Sequence, residues 1–266
     1  MAGSWYPGEP ARLAAAVEGY LAGAGVDPLP PPRAVIAPHA GLMYSGPVAA
    51  WCYRAARNTE YATIVMVGPS HFVPFGGASI WPAGEWETPF GTVAVDQPLA
   101  AAITTAAPGV VVDRPDAHGR EHSLELQLPF VARLWPRARI VPLVMGHQTR
   151  ETAFVLGEAI AAAVADRARD VLLVASSDLS HYEDAATAAS MDAVVLEHVQ
   201  AFDPEGLMSA LEREPRHACG GGPMVSVLHA ARLGGATEAR LLRYADSGDV
   251  SGDKSSVVGY LAAALW

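Results

Sequence analysis

Histidines and an aspartate stand in three short segments that combine ionisable side chains with turn-forming residues. His39 lies in the segment PHAG, His71 in GPSH, and Asp178 and His181 share the segment SSDLSH. Neutral imidazole and carboxylate are common ligands of iron, zinc, manganese and nickel in proteins. Histidine also transfers protons near neutral pH. These segments therefore indicate a metal site or an acid–base site, provided that the fold brings them together.

A cysteine in a glycine-rich segment is a fifth candidate. Cys219 precedes three glycines and Pro223, and proline favours the first position of a helix. The sequence thus predicts Cys219 at a helix amino terminus, where the helix dipole would favour the thiolate that binds metals or attacks electrophiles. The glycines would permit close approach of a ligand. The other cysteine, Cys52, lies in an apolar helix and is assigned to the core.

The segment EHSLE, residues 121–125, is a sixth candidate and is predicted to open a helix. His122 and Glu125 are three residues apart and would share a helix face, as ligands, as acid–base groups or as partners that orient the other histidines. Glu121 and Glu125 have a simpler explanation, because acidic residues in a first helical turn stabilise the dipole. His118 is assigned to a flexible loop rich in glycine and arginine.

Short runs of β-forming residues alternate with alanine-rich helical stretches, which is typical of parallel strands joined by crossover helices. The predicted buried strands are Ala34–Ala37, Thr63–Val67, Ile140–Val144 and Val171–Ala175. The predicted helices are Pro10–Ala22, Gly46–Arg57, Gln97–Ala107, Ser123–Trp135, Thr152–Ala165, Asp184–Gln200 and Pro223–Leu233. The candidate loops at His39, His71 and Asp178 each leave the carboxyl end of a strand. In an open parallel sheet these ends share one edge, where ligand sites form.

Two regions depart from this alternation. The stretch from Gly76 to Val95, rich in glycine, proline and tryptophan, predicts short antiparallel strands and turns. Near the carboxyl terminus, Leu241–Ala245 and Ser256–Leu261 predict a hairpin that joins the sheet edge. No low-complexity linker divides the chain, so residues 1–266 are predicted to form one α/β domain with a central, mostly parallel or mixed sheet flanked by helices.

Composition narrows the functional classes. A formal net charge of −10, with 18 dispersed basic residues, disfavours nucleic acid as a partner. No run approaches the roughly 20 apolar residues of a membrane span, and the amino-terminal residues lack the features of an export signal. Two cysteines cannot form a disulfide framework, which favours a reducing, cytoplasmic location. The sequence contains no G-x-S-x-G elbow, dinucleotide fingerprint or P-loop.

The order of the segments AGSWYP, APHAG, GPSH, EHSLELQLPF, SSDLSHY and CGGGP closely resembles the Memo family, also called AmmeMemoRadiSam system protein B. That family is similar in fold to class III extradiol dioxygenases, which cleave catechol-type rings with iron held by two histidines and a carboxylate. The resemblance implies metal binding by His39, His71 and Cys219. It places Asp178 and His181 elsewhere in the pocket, and the family name implies a radical SAM partner protein.

Three functions remain open for this pocket. The first is an oxidoreductase with a divalent metal, assisted by Asp178, His181 and His122. The resemblance makes iron the first choice, and the thiolate in place of a carboxylate also admits copper or zinc. The second is a non-catalytic module that binds a small molecule, a metal or a peptide, with Gly76–Trp86 as a recognition rim. The third is a zinc-type hydrolase, which needs a metal-bound water.

Overall fold

Four parallel strands form the centre of the sheet, and they are the four predicted from the sequence. In spatial order they are Ala34–Ala37, Val171–Ser176, Thr63–Pro69 and Arg139–Met145. All their residues are buried except Arg139. Burial on both faces explains why these segments are continuous apolar runs rather than alternating ones.

The computed structural model describes residues 1–266. The strands are β1 Ala34–Ala37, β2 Thr63–Pro69, β3 Ala78–Ile80, β4 Glu85–Thr88, β5 Gly91–Ala94, β6 Val111–Val112, β7 Arg139–Met145, β8 Val171–Ser176, β9 His181–Glu183, β10 Ala239–Asp246 and β11 Val257–Leu265. The helices are α1 Pro10–Gly23, α2 Leu42–Ala56, α3 Gln97–Ala106, α4 Pro115–His118, α5 Leu128–Leu134, α6 Arg150–Val164, α7 Ala185–Gln200, α8 Pro204–Arg213, α9 Gly221–Leu233 and α10 Gly248–Ser251. Short 3₁₀ turns span Glu125–Gln127, Ala165–Arg167 and Pro215–His217.

Antiparallel strands complete the sheet on both sides of the parallel centre. The order is β10-β11-β1-β8-β2-β7-β3-β6, with β9 paired to β11. The predicted carboxyl-terminal hairpin is confirmed, because β10 and β11 are antiparallel and β11 pairs antiparallel with β1. The antiparallel elements predicted between Gly76 and Val95 are also present, as the β4–β5 hairpin and as β3 beside β7. The chain is a single α/β domain with a mixed sheet.

The two faces of the sheet carry separate apolar layers. Ile36 and Val67 pack on the same side as helices α3, α6, α7, α8 and α9, whereas Val35 and Met66 pack with α1, α2 and α5. This alternation follows from the two-residue repeat of a strand. Because both faces are covered, loops at the strand ends are the accessible part of the central sheet. No helix is both long and apolar enough to cross a membrane.

Several helix boundaries differ from the predictions. Residues 123–135 do not form one helix, since a 3₁₀ turn at Glu125–Gln127 precedes α5. Helix α2 begins at Leu42 and contains Pro47 in its interior, although proline usually stands near a helix start. Helix α8 was not predicted, because it is short and follows α7 closely. Its start signals were present, since Asp203 caps the helix and Pro204 is its first residue.

Gly68 in β2 gives a test of how closely the sheet packs against the segment that follows residue 121. A β-carbon at Gly68 would lie 2.7 Å from Ser123 Oγ and 2.9 Å from Leu124 Cδ2, whereas one at Gly76 would meet nothing within 4 Å. We therefore expect Gly68→Ala to lower the free energy of unfolding by about 1–3 kcal/mol. Gly76→Ala is the control and should unfold near the wild type in denaturant titrations. Equal stability of both variants would contradict this packing.

Candidate metal centre

Three strand ends bring the candidate side chains together. His39 follows β1, His71 follows β2, and Asp178 follows β8, which lies between them in the sheet. Cys219 arrives from the opposite direction, just before α9. One donor atom from each of His39, His71 and Cys219 lies within 4.8 Å of the others. The predicted convergence of these three residues is therefore present.

The hydrogen bonds of His39 determine which of its nitrogens is free. The Ser176 hydroxyl donates to the Ser123 carbonyl at 2.6 Å and accepts from Gln127 Nε2 at 2.8 Å. That hydroxyl has only one proton, which it donates to Ser123. It must therefore also accept a hydrogen bond from His39 Nδ1, 2.9 Å away. The proton of neutral His39 is therefore on Nδ1, and Nε2 presents a lone pair 3.3 Å from Cys219 Sγ.

The amide of Gln127 is itself fixed in orientation. Its Nε2 donates to the Pro38 carbonyl, which can only accept, and its Oε1 accepts from the Tyr53 hydroxyl at 2.7 Å. Both Gln127 and Tyr53 are completely buried. A buried polar chain of this kind thus holds the His39 ring, which is itself only 1% exposed.

Glu121 fixes the orientation of the His71 ring in the same way. Its Oε1 accepts from His71 Nδ1 at 2.8 Å, and its Oε2 accepts from the His71 backbone N–H at 2.6 Å. Burial opposes ionisation of Glu121, but the hydrogen bonds from the His71 ring and backbone hold its pKa at about 2. The ionised carboxylate therefore fixes a proton of His71 on Nδ1, so that the neutral ring has its lone pair on Nε2.

Asp178 joins the His39 loop to the Cys219 loop. Its Oδ1 accepts from the backbone N–H of His39 at 2.7 Å and of Ala40 at 3.3 Å. Its own backbone N–H donates to Cys219 Sγ at 3.3 Å, and the Cys219 N–H donates to its carbonyl. Burial raises the pKa of Asp178 despite these hydrogen bonds. These hydrogen bonds hold the His39 and Cys219 loops together.

The expected effect of the helix dipole on Cys219 is wrong. Burial, reinforced by the Asp178 carboxylate, raises the pKa of the Cys219 thiol. Helix α9 starts at Gly221 with Gly220 as its cap, so Cys219 precedes the helix rather than occupying its first turn. Without a bound cation the residue is a neutral thiol, because desolvation outweighs the dipole.

The glycines after Cys219 allow close packing within the protein, whereas the sequence suggested that they permit the close approach of a ligand. A β-carbon at Gly220 would lie 2.5 Å from the Ser176 carbonyl oxygen, and one at Gly222 would lie 2.6 Å from Met145 Sδ. A β-carbon at Gly221 would meet the Leu211 side chain at 2.6 Å. The three glycines thus allow the start of α9 to lie directly against the strand ends, which places Cys219 beside His39.

His122 joins the cluster, although it does not lie on a helix. Its ring stacks on His71 with centroids 4.6 Å apart, and it contacts His39 edge-on at 5.5 Å and Trp5 at 4.3 Å. Burial lowers the pKa of His122 to about 4. The predicted common helix face of His122 and Glu125 is wrong. Glu125 instead accepts a hydrogen bond from the Tyr6 hydroxyl at 2.9 Å.

His181 lies beside the three donors but outside their group. Its Nδ1 is 2.8 Å from the Leu179 carbonyl, which can only accept, so the neutral ring keeps a lone pair on Nε2. Its charge influences the pKa of both His39 and Asp178. The next residue, Tyr182, has a φ of 65° and is 77% exposed. Such a left-handed conformation is uncommon outside glycine, and it often marks functional loops.

The donor set fits a transition-metal ion. Metal–sulfur and metal–imidazole bonds of about 2.3 and 2.0–2.1 Å place the two donor atoms roughly 3.1–3.6 Å apart at ordinary bond angles. The 3.3 Å between Cys219 Sγ and His39 Nε2 lies in that range. A second grouping, His71 with Glu121 and His122, fits less well, because Nδ1 of His71 donates to Glu121 and has no free lone pair there.

Comparison with known proteins shows that the family model described as Memo-like protein matches residues 1–264. The chain belongs to the Memo family. A MEMO1 family protein of Methanothermobacter thermautotrophicus is 40% identical over 268 residues, covering 98% of this chain and 96% of that protein. One of Methanopyrus kandleri is 38% identical over 273 residues, with the same coverage of 98% and 96%.

A solved structure supports the fold. The uncharacterized protein JW3007 from Escherichia coli K12 has a TM-score of 0.58 to this Memo-family chain, at 16% sequence identity. The match covers 86% of this chain and 98% of that one. At this identity the likeness concerns the fold alone.

The sequence of this Memo-family chain predicts most members of the side-chain cluster, but not all of them. His39, His71, Cys219, Asp178, His181 and His122 all lie in one region, as predicted. Glu121 was explained as a helix-start residue, yet its carboxylate orients His71. Ser176 and Gln127 were not selected, because a buried serine and glutamine carry no motif of their own. The signal available for Glu121 was its place directly before His122 in EHSLE.

The proton positions of the two histidines can be tested by ¹⁵N NMR of the metal-free protein. We expect His39 and His71 to carry their protons on Nδ1, and Glu121→Gln to disturb the resonances of His71 while sparing those of His39. Because burial lowers the pKa of His39 to about 3, His39 should stay neutral between pH 5 and 8. Glu125→Gln is the matched control and should change neither ring. A proton on Nε2 of His39 would contradict the proposed hydrogen-bond chain.

Proposed function

We propose that this chain binds one divalent metal ion, iron, through His39, His71 and Cys219, and uses it in an oxidoreductase reaction. One observation carries the proposal. Each histidine donates its Nδ1 proton to a buried protein acceptor. Two Nε2 lone pairs and one thiol then remain available around a common point. Protein groups that orient ligating histidines in this way are typical of metal sites.

The resemblance to iron-dependent dioxygenases favours iron, and the thiolate makes copper(I) and zinc the alternatives. Two imidazoles with one thiolate are softer than the two-histidine, one-carboxylate set of many non-haem iron oxygenases. Three protein ligands would leave positions open for a substrate. A ferrous ion bound there would supply redox chemistry with an oxidant such as dioxygen, as the resemblance to class III extradiol dioxygenases implies.

His181 is the proposed proton-transfer residue. Its Nε2 lone pair is free, and Leu179 holds its ring through Nδ1. Asp178 positions the His39 and Cys219 loops. His122, packed between Trp5 and His71, closes one side of the cluster with a neutral ring and excludes water there. The chain would therefore hold and move protons through His181 while the remaining residues keep the donors in place.

The surface around the site suits a ligand with apolar or aromatic groups. Among the large hydrophobic side chains that are exposed, Phe72 follows His71 directly, Tyr182 follows His181 directly, and Met43 lies in the first turn of α2 after His39. Apolar side chains grouped at a polar centre are typical of small-molecule or peptide recognition. We propose a cytoplasmic location, where the Cys219 thiol stays reduced, and a radical SAM protein remains the implied partner.

Metal binding can be tested by elemental analysis after anaerobic reconstitution with iron. We expect about one iron per chain in the wild type and a loss in affinity for Cys219→Ala that exceeds the roughly 10–100-fold cost of changing an outer-shell residue. Cys52→Ala is the matched control, since Cys52 is completely buried in the apolar core. Equal iron in wild type and Cys219→Ala would contradict the proposed ligand set. If the protein preferentially retained zinc or copper, that metal would take the place of iron in the proposal.

The proton-transfer role can be tested by oxygen consumption with a panel of catechols. We expect His181→Gln to keep its metal but lose about 10²–10⁴-fold in rate. The control His198→Gln should keep its activity, because His198 lies at the end of α7 beside Asp203. Stoichiometric peptide or small-molecule binding without turnover would favour a non-catalytic module. Activity that survives strict exclusion of oxygen would favour a hydrolase.

A further inference from the structure

A cavity of about 260 Å³ is lined in part by Glu121, the residue whose carboxylate holds His71. Its walls contain two tryptophans and four glutamates: Trp81, Trp86, Glu85, Glu87, Glu121 and Glu125. His118 also lines it, and no lysine or arginine does. Aromatic faces and carboxylates together attract cations, because the π face and the carboxylate are both electronegative. None of the proposed metal ligands lines this space.

The aromatic walls are arranged around His118. The rings of Trp81 and Trp86 meet edge to face, with centroids 6.3 Å apart. The His118 ring lies 5.6 Å from Trp81 and 6.2 Å from Trp86, edge-on to both. The flexible glycine and arginine loop expected at His118 is thus wrong, since His118 ends helix α4 and is only 8% exposed.

The free nitrogen of His118 is an acceptor without a protein partner. The Ser79 hydroxyl donates to the Arg114 carbonyl at 3.0 Å, so it must accept from His118 Nε2 at 3.1 Å. The proton of the ring is therefore on Nε2. Nδ1 is a buried lone pair with no hydrogen-bond partner, and burial lowers the pKa of His118 to about 4. A buried polar atom left unpaired is costly, which points to a donor supplied from outside the chain.

The carboxylates around this acceptor differ in how fully they are used. Glu121 accepts from His71, and Glu125 accepts from Tyr6. Glu85 and Glu87 are exposed residues of β4 with no ion-pair partner. The cavity is therefore lined by two unpaired negative charges, by the His118 ring with its unpaired nitrogen and by two indole rings.

We propose that this cavity binds the head group of a small organic cation with N–H donors, a primary alkylammonium or a guanidinium. The N–H groups would donate to the glutamates and, after a small shift of the His118 ring towards the cavity, to its Nδ1, while the alkyl part packs against the indoles. The volume lies below the range of about 300–1,000 Å³ that is usual for drug-sized ligands, so it suits a head group. A bare divalent ion is disfavoured, because the four glutamates of the cavity do not form one of the groups whose donor atoms lie close enough together to share one ion.

The full chain, prepared without metal, can be titrated with n-butylammonium and agmatine by calorimetry. We expect both to bind, and tetramethylammonium, which has no N–H group, to bind at least several-fold more weakly. Butyrate should not bind. Trp86→Leu should weaken butylammonium binding roughly two- to thirty-fold, and Glu85→Gln with Glu87→Gln roughly two- to fivefold for each charge removed.

Two controls are matched to these variants. Trp51→Leu changes a half-buried tryptophan that lines a different cavity, and Glu60→Gln changes an exposed carboxylate at the opposite end of β2. Both should bind butylammonium as the wild type does. A capped peptide with a single lysine that binds more tightly than butylammonium would identify a peptide side chain as the ligand, and weaker binding would identify a free amine.

Either of two results would overturn the proposal: no binding of butylammonium or agmatine at millimolar concentration, or equal binding of tetramethylammonium and butylammonium. The second comparison uses the unaltered protein, so it does not depend on whether a variant folds. Because the titration is made without metal, its failure would leave the proposed metal centre standing, and loss of the metal centre would leave this site standing.

Discussion

The site depends on where each buried N–H proton goes. Ser176 has one hydroxyl proton and gives it to Ser123, so His39 must donate through Nδ1. Ionised Glu121 imposes the same choice on His71. The consequence is geometric as well as electronic, because a ring fixed at Nδ1 directs its Nε2 lone pair to a set place. The two lone pairs beside the Cys219 thiol result from hydrogen bonds formed on the opposite sides of the rings.

Burial disfavours charge in this site as long as no cation is present. Desolvation lowers the pKa of His39 and raises the pKa of both Asp178 and Cys219, so that charge is disfavoured throughout. Glu121 is the exception, because hydrogen bonds from His71, His122 and Ser123 stabilise its carboxylate. A bound cation would relieve the cost of forming a thiolate among buried groups. The same carboxylate forms a wall of the tryptophan-lined cavity, so one residue connects the two proposed sites.

The sequence predicts the parts of this molecule that depend on local pattern. Continuous apolar runs identified the four central strands, and the placing of His39, His71 and Asp178 after three of them identified the site edge. Polar residues within the buried network were harder to find. Ser176 is the last residue of β8, and Gln127 ends a 3₁₀ turn, so neither has a periodicity that reveals its partner.

The wrong predictions share a cause. An effect of the helix dipole on Cys219 and a helix beginning at EHSLE both follow from local sequence. Contacts made in the folded protein gave a different result at each place. Burial raises the pKa of the Cys219 thiol, and the hydrogen bonds of Glu121 to His71, His122 and Ser123 keep residues 121–124 in an irregular turn. Contacts between residues about 50 positions apart cannot be read from spacing along the chain.

X-ray absorption at the iron edge of the reconstituted protein measures the ligand atoms directly. The proposed centre predicts one sulfur scatterer and two imidazoles in the first shell, with the sulfur lost in Cys219→Ala. A first shell of oxygen and nitrogen alone, unchanged by that substitution, would contradict it.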